Sequence, residues 1–578
     1  MVTGDEAARL YLGPRSLWPV SRFLALAIAI LACAWAAPAE APAAPAYSKH
    51  TYVVAVSQPD EYGNPVSLDT DVYVPAGTPP HGGWPFVAFF HGGGSTKSNP
   101  FDSDHAARFA ANGYATMLYS QRGHGNSNGE TAVFGPKEIR DLFDVTAWAL
   151  GIRGAPGPSH PDFHMNRDWV ALSGYSQGGA TTNLGQTWAT DRAENPYGIS
   201  FRAVEPGNTP DKTFEALVPH GVLKLSFGAG LLQTYLRGGS GLETHGRVAP
   251  RVLRWIATGT ADLPSLYGGG NVCDSTGHDA PGSSIKADLA WRSVGCHPDR
   301  MALPWLWAQA FDDELFPADM ALALWRDAPG RSRHRLYLSM GGHGAPSATG
   351  TVEEEKVQRQ LAFMDAVRKG RRLPGPAVVY WTRDPRVPVP GDAYRYPPGA
   401  WMRQEATRWP PPGTTDVAFA LGADGRAVRG AGKPGRISLL PVAADVGHDP
   451  VVASAASASP LGTSPVAAVP PTRFDHSIAS FATDPFPTMT EMSGQPRALL
   501  DWTPASSDEQ LALELFDESP GGHLTLISRG VLGMRGTAAR SSRLVTIEAN
   551  TFSTLIPAGH RVLAWLMAGD VPFYKPYA

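Results

Sequence analysis

Two kinds of hydrophobic pattern divide this chain. Between residues 86 and 369, short uninterrupted apolar runs alternate with segments whose apolar positions recur at helical spacing. Phe86-Val87-Ala88-Phe89-Phe90, residues 114–119, Trp169-Val170-Ala171-Leu172, residues 304–308 and residues 335–339 are runs of the kind buried on both faces of a parallel sheet. Helices are predicted at 104–111, 136–150, 317–326 and 351–369. The last of these places Val357, Leu361, Met364 and Val367 on one face and stops at Gly370, with Pro374 beyond. Such alternation predicts a parallel sheet covered by helices. Before it, residues 51–56 and 66–74 alternate around the turn-rich Asp60-Glu61-Tyr62-Gly63-Asn64-Pro65, predicting an antiparallel hairpin at the sheet edge. Residues 214–218 are the predicted strand after 169–172.

The rhythm breaks between 221 and 296, where an apolar segment at 223–236 and clustered glycines predict a cap inserted over the site. From residue 376 helical spacing disappears. Short β-type segments such as Val378-Val379-Tyr380-Trp381 and Asp416-Val417-Ala418-Phe419-Ala420, punctuated by proline, predict a β-sandwich of jelly-roll type. Residues 450–471 are low in complexity and predicted as loop, and no internal repeat is present. The expected organisation is an α/β domain at 47–220 and 301–375, a cap at 221–300 and a sandwich at 376–578, in keeping with 578 residues being too many for one core.

The first 46 residues carry a different pattern. Arg15 and Arg22 precede an apolar run at 23–37, followed by an Ala/Pro-rich stretch to residue 46, which predicts a cleaved signal peptide and a flexible spacer. The apolar run is short for a membrane span, and retention as an anchor is the alternative. Cys33 after Ile30-Leu31-Ala32 loosely resembles a lipoprotein processing site, against which stands a cysteine discarded with the leader. After cleavage Cys273 and Cys296 remain, and in an oxidising compartment this pair across a short loop predicts a disulfide, two free buried thiols being the alternative. With 43% hydrophobic residues, 18% charged and a net charge of -4, nothing points to nucleic acid or an anionic membrane surface as partner. Oligomeric state is not legible.

Candidate chemistry sits at strand ends. Gly174-Tyr175-Ser176-Gln177-Gly178-Gly179 follows the run at 169–172 and passes directly into the helix-compatible Ala180-Thr181-Thr182-Asn183-Leu184-Gly185-Gln186. A G-x-S-x-G between strand and helix is the nucleophile elbow of an α/β-hydrolase, in which a strained turn lifts the serine hydroxyl clear of the sheet. In a chain with 62 glycines the pattern alone is weak, and Gly125-Asn126-Ser127-Asn128-Gly129 matches it too. There the preceding run ends at Tyr119 and the next helix begins at Pro136, so Ser127 reads as a loop residue. A serine nucleophile needs a histidine base and a carboxylate to orient it, in the order Ser, acid, His. His343, in Met340-Gly341-Gly342-His343-Gly344 after the strand at 335–339, has that placement. The acid lies in Asp312-Asp313-Glu314, with Asp313 preferred because it stands three residues beyond Ala310, Asp312 as alternative, and Glu314 behind both; unused carboxylates there suit a helix N-terminus. Oxyanion donors are expected from the backbone of Gln177 and from Gly92 and Gly93 in His91-Gly92-Gly93-Gly94, a plain glycine turn being the alternative. His160 and His164 are separated by Pro161 and read as solvated loop residues, and no metal or organic cofactor is expected.

These residues resemble the X-Pro dipeptidyl-peptidase family of serine hydrolases, which includes cocaine esterase and α-amino-acid ester hydrolases. The resemblance is carried by Gly113-Tyr114-Ala115, by Arg122-Gly123-His124-Gly125-Asn126-Ser127-Asn128-Gly129, by Gly174 to Gly179, by Asp312 to Pro317 and by Gly342-His343-Gly344. In the last third it is carried by Trp401, Trp409-Pro410-Pro411-Pro412, Leu421 to Gly425, Ile556 to Arg561 and Pro572-Phe573. It implies an α/β-hydrolase with a helical cap and a β-sandwich, and an exported enzyme cleaving X-Pro peptide bonds through Ser176, His343 and Asp313. The chain departs from the family at His91-Gly92-Gly93-Gly94, where members commonly carry a tyrosine oxyanion donor, and at Ala310, where glycine is common. The first departure favours a carboxylic-ester hydrolase as the alternative, and a binding protein that uses the sandwich is a lesser one.

Overall fold

A computed structural model describes residues 46–224, 241, 272–274, 285–340, 342–343, 351–387, 401–430, 439, 444–445, 467–468, 478–571 and 573–574. The predicted leader with Cys33, most of the predicted cap and the loop at 450–471, apart from 467–468, lie outside them.

Ten described strands form one sheet. In chain order they are β1 (Tyr47–Ala55), β2 (Ser67–Pro75), β3 (Trp84–Phe90), β4 (Ala115–Tyr119), β5 (Met165–Tyr175), β6 (Phe201–Gly207), β7 (Trp305–Ala310), β8 (His334–Ser339), β9 (Val378–Arg383) and β10 (Trp401–Ala406). Their spatial order is β1-β2-β4-β3-β5-β6-β7-β8-β9-β10. From β4 to β9 every pairing is parallel, and β1, β2 and β10 close the two edges antiparallel. The described α-helices are α1 (Pro100–Ala111), α2 (Pro136–Ala149), α3 (Gln177–Thr187), α4 (Thr213–Leu217), α5 (Ile285–Trp291), α6 (Ala318–Asp327) and α7 (Thr351–Arg368). This is the α/β-hydrolase architecture.

The pleat divides each buried strand between two cores. On β3, Phe86, Ala88 and Phe90 join Leu142, Leu184 and Leu324 of α2, α3 and α6, while Val87 and Phe89 join Phe109 of α1 and Phe363 of α7. Because both faces are covered, all five residues are at most 4% exposed, and each Phe or Val side chain so buried stabilises by about 1.5–3 kcal/mol. That double burial is what makes the run uninterrupted in sequence.

Two strand expectations are corrected. Residues 214–218 fall on α4 and the segment that follows it, and the strand beside β5 is instead Phe201–Gly207. Its pattern was obscured by Arg202, which is exposed, by Glu205, whose carboxyl is fully buried and pushed well above the ordinary carboxylate range by that burial, and by Pro206. Val378-Val379-Tyr380-Trp381, grouped by composition with the sandwich, belongs to the first sheet as β9, parallel to β8. A short apolar run does not state which sheet it will join.

Beyond β10 the described strands form a second sheet in the order Phe419–Leu421, Arg426–Arg429, Ile478–Thr483, Arg561–Met567, Glu509–Glu518, Leu524–Met534 and Ala467–Ala468. Two antiparallel pairs accompany it, Thr490–Gly494 with Phe552–Ile556 and Arg497–Trp502 with Arg543–Glu548. Leu511, Leu513 and Leu566 share a core with Val545 and Ile547, so the second sheet packs on a second layer as in a β-sandwich. Cys273 and Cys296 are joined in a disulfide.

Candidate active site

Strand β5 delivers Ser176 to the sheet's C-terminal edge, and α3 begins at the next residue. Ser176 has φ 55° and ψ -120°, a conformation that costs an L-residue of order 1–3 kcal/mol. Two contacts hold it there. The Ser176 N-H donates to the carbonyl of Gly207 at the end of β6 (2.9 Å), and its own carbonyl accepts from Ala180 in the first turn of α3 (3.0 Å). The elbow has no room for side chains around it. A Cβ on Gly178 would stand 2.0 Å from the Phe90 carbonyl oxygen, and one on Gly174 would stand 2.5 Å from that of Gly178. Gly178→Ala is therefore expected to drive α3 off β3 and to cost several kcal/mol of stability, seen as a fall in the denaturant midpoint together with loss of activity.

Ser176, His343 and Asp313 are brought together from three strand ends. Ser176 Oγ lies 2.8 Å from His343 Nε2, and His343 Nδ1 lies 3.0 Å from Asp313 Oδ2. A carboxylate only accepts, so the ring proton sits on Nδ1 and leaves Nε2 to accept from the serine hydroxyl. The Asp313 and His343 side chains are 0% and 2% exposed. Asp313 Oδ1 accepts from the amides of Leu315 (3.1 Å) and Phe316 (2.9 Å), and Gln309 Nε2 approaches Oδ2 at 3.3 Å. The Phe316 ring meets the imidazole edge-on, centroids 4.9 Å apart.

Asp312, the alternative acid, does something else. Its Oδ1 accepts from the Gly342 amide (2.9 Å), so it holds the backbone that carries the histidine. Asn208, which sequence reading missed, completes that clamp: its Nδ2 donates to the Gly342 carbonyl (3.0 Å) and its Oδ1 accepts from the Ala310 amide (3.1 Å). A polar residue directly after a parallel strand is the signal for it, legible only once the strand is recognised at 201–207 rather than 214–218. Glu314 faces Arg529, with 3.7 Å between carboxylate and guanidinium, and is not at the histidine.

Gly92 lies against Ser176, since a Cβ there would be 3.4 Å from Ser176 Cβ and 3.9 Å from its Oγ. His91 sets the loop's orientation. Its Nε2 accepts from the Gln121 amide (2.9 Å), which leaves Nδ1-H to donate to the Gly92 carbonyl (2.7 Å). Burial and the neighbouring His124 push His91 down to about 3, so the ring is neutral and this tautomer is retained. In a trans peptide the N-H of Gly93 points opposite to the carbonyl so held. Neither Gly92 nor Gly93 gives its amide to another group among the described residues.

The decoy serine is structural. Ser127 Oγ donates to the Ser120 carbonyl (2.6 Å) and accepts from the Asp69 amide (2.9 Å). In the same loop Arg122 grips Asp141 with two bonds of 2.7 Å and reaches the carbonyl of Gln58. His160 is packed rather than solvated, stacked on Phe163 with centroids 4.7 Å apart and bonded to the Trp148 carbonyl.

Two family profiles match the chain. One, X-Pro dipeptidyl-peptidase (S15 family), covers residues 63–194, and the other, X-Pro dipeptidyl-peptidase C-terminal non-catalytic domain, covers residues 374–576. The chain belongs to the X-Pro dipeptidyl-peptidase family. This family assignment makes it a hydrolase. No curated protein matches the chain. Its fold is similar to solved structures at low identity. An aminopeptidase from the marine sediment archaeon Thaumarchaeota archaeon is 15% identical with a TM-score of 0.62, covering 92% of this chain and 90% of that one. An α-amino acid ester hydrolase is 15% identical with a TM-score of 0.63, covering 93% and 91%. A CocE/NonD family hydrolase from Staphylococcus aureus is 13% identical with a TM-score of 0.57, covering 91% and 86%. The loop at 122–129 that carries the decoy lies within the first matched region, and its serine serves the scaffold.

Proposed function

We propose that this family member is an exported serine hydrolase that cleaves X-Pro-type peptide bonds through an acyl-enzyme, with Ser176 as nucleophile, His343 as general base then acid, and Asp313 as the group that orients it. The observation that carries the proposal is the continuous chain from Ser176 Oγ to His343 Nε2 at 2.8 Å and from His343 Nδ1 to Asp313 Oδ2 at 3.0 Å. His343 takes the hydroxyl proton as Oγ attacks the carbonyl carbon, and returns it to the leaving amine. The amides of Gln177, Gly92 and Gly93 receive the oxyanion, which gains most from donors already aimed at it. Water then repeats the sequence on the acyl-enzyme. Cleavage of the leader at 1–46 would place the enzyme outside the cytoplasm, in keeping with a Cys273–Cys296 disulfide and with the lack, among the described residues, of any helix long and apolar enough to cross a membrane.

A second reading, a carboxylic-ester hydrolase, is favoured by one feature. The loop after β3 offers backbone amides at Gly92 and Gly93 where peptidase members commonly carry a tyrosine. An ester's alkoxide leaves without the full protonation that an amine requires. Steady-state turnover of an Ala-Pro anilide against short-chain aryl esters separates the two. The peptidase reading expects kcat/KM for the anilide to equal or exceed that for the esters, and an anilide rate at background with efficient ester turnover would replace it by the second.

A further inference from the structure

The acid loop is held from behind by a buried cation that the reaction does not consume. Lys224 is 2% exposed, and its Nζ donates to the carbonyls of Glu314 (2.7 Å) and Leu315 (3.1 Å). These carbonyls belong to the turn whose next amides, those of Leu315 and Phe316, grip Asp313 Oδ1. Lys224 is itself anchored from two sides. Its backbone amide donates to Leu217 (2.9 Å), at the entry to the segment between β6 and β7, and it pairs in an isolated antiparallel bridge with Tyr574 near the chain's end. Leu315 and Phe316 lie in one apolar cluster with Val222, Val531, Phe573 and Tyr574, so the turn is enclosed.

A lone ammonium is an expensive group to bury, and a methionine would fill the same space without that cost. What an ammonium adds is two donors and a charge. We infer that Lys224 is a positioning residue for the triad: its donors fix the turn that aims Asp313 at His343, and its charge tempers the field of Asp313 at the imidazole. The inference rests on the Ser176–His343–Asp313 reading. Among the described residues the ionisable groups facing Lys224 are Asp313 and Glu314 of the acid loop, Asp319 of α6 and Arg529 of the second sheet, and Arg529 is in turn met by Glu514 and Asp570; Tyr574 meets Lys224 through the backbone bridge. Burial pushes the ammonium below the usual lysine range, while Glu314, Asp313 and Asp319 oppose that shift and Arg529 adds to it.

The test uses the full chain and an aryl ester. Lys224→Met is expected to lower kcat at least tenfold with KM changed less than twofold. Without the ammonium the imidazolium is opposed by one fewer positive charge, so the acidic limb of the kcat/KM profile should move to higher pH by about half a unit. Lys224→Arg should return that limb to its wild-type position while restoring kcat only in part. A Lys224→Met enzyme with wild-type kcat and a wild-type acidic limb would overturn the inference. If that variant does not fold, Lys224→Gln carries the same pH measurement, since a space-filling role would leave the limb unmoved. Labelling of wild-type Ser176 by a fluorophosphonate keeps the two claims apart: its failure overturns the triad reading, whereas labelling with an unmoved limb overturns only the role of Lys224.

Discussion

Ser176→Ala is expected to lower kcat for activated esters by on the order of 10^4- to 10^6-fold and to abolish labelling by a fluorophosphonate, with the fold unchanged. The size of the effect follows from its mechanism: without Oγ there is no acyl-enzyme, and only the oxyanion donors and substrate binding remain. Stability supplies a separate check on the elbow. The backbone of residue 176 stays at φ 55° and ψ -120°, a region that glycine enters freely, so Ser176→Gly should be as inactive as the alanine variant yet more stable by about 1 kcal/mol. Retained ester hydrolysis in Ser176→Ala, or labelling at Ser127, would transfer the nucleophile to another residue. The second outcome is opposed by geometry, because Ser127 Oγ is already committed to Ser120 and Asp69.

Asp313→Asn is expected to lower kcat by about 10^4-fold, and Asp312→Asn by less than tenfold. The difference lies in what each oxygen accepts. In Asp313→Asn the amides of Leu315 and Phe316 would keep the remaining oxygen on their side, and the new NH2 would face His343 Nδ1 and Gln309 Nε2. Two donors would then confront Gln309, and the imidazole would move its proton to Nε2, where it cannot accept from Ser176. At Asp312 an asparagine oxygen still accepts from the Gly342 amide, so the histidine loop keeps its support. Stopped-flow measurement of the acylation step in the two variants ranks them directly, and a larger loss in Asp312→Asn would exchange the roles.

Legibility followed burial. Segments covered on both faces, β3 along its length and β5 over Trp169 to Leu172, are uninterrupted apolar runs and so legible in the sequence; α7, with one face to the sheet, is legible from its period. Strand β6 was not, because it carries Arg202, Glu205 and Pro206, and losing it also hid Asn208 at its end. The site divided similarly. Serine and histidine each stand in a glycine-rich turn at the end of a recognisable strand, so position in the chain was enough to name them. For the adjacent carboxylates Asp312 and Asp313, spacing from Ala310 favours Asp313 as the partner of the imidazole, but nothing local shows that Asp312 holds the histidine's loop.

By itself the sequence determined the α/β alternation, the strand-to-helix context that separates Ser176 from Ser127, and the chain order of the candidate residues Ser176, Asp313 and His343. Those are properties of short segments, set by backbone preference and by the period of burial. Tertiary structure alone decided that Val378–Arg383 joins the first sheet, that Asp312 accepts from the Gly342 amide while Asp313 lies 3.0 Å from His343, and that Lys224 and Asn208 support the loops carrying them. The physical reason is the same in each case. Which hydrogen-bonding partner a strand or a buried polar group meets depends on segments 30 or more residues away, and no local pattern encodes that choice.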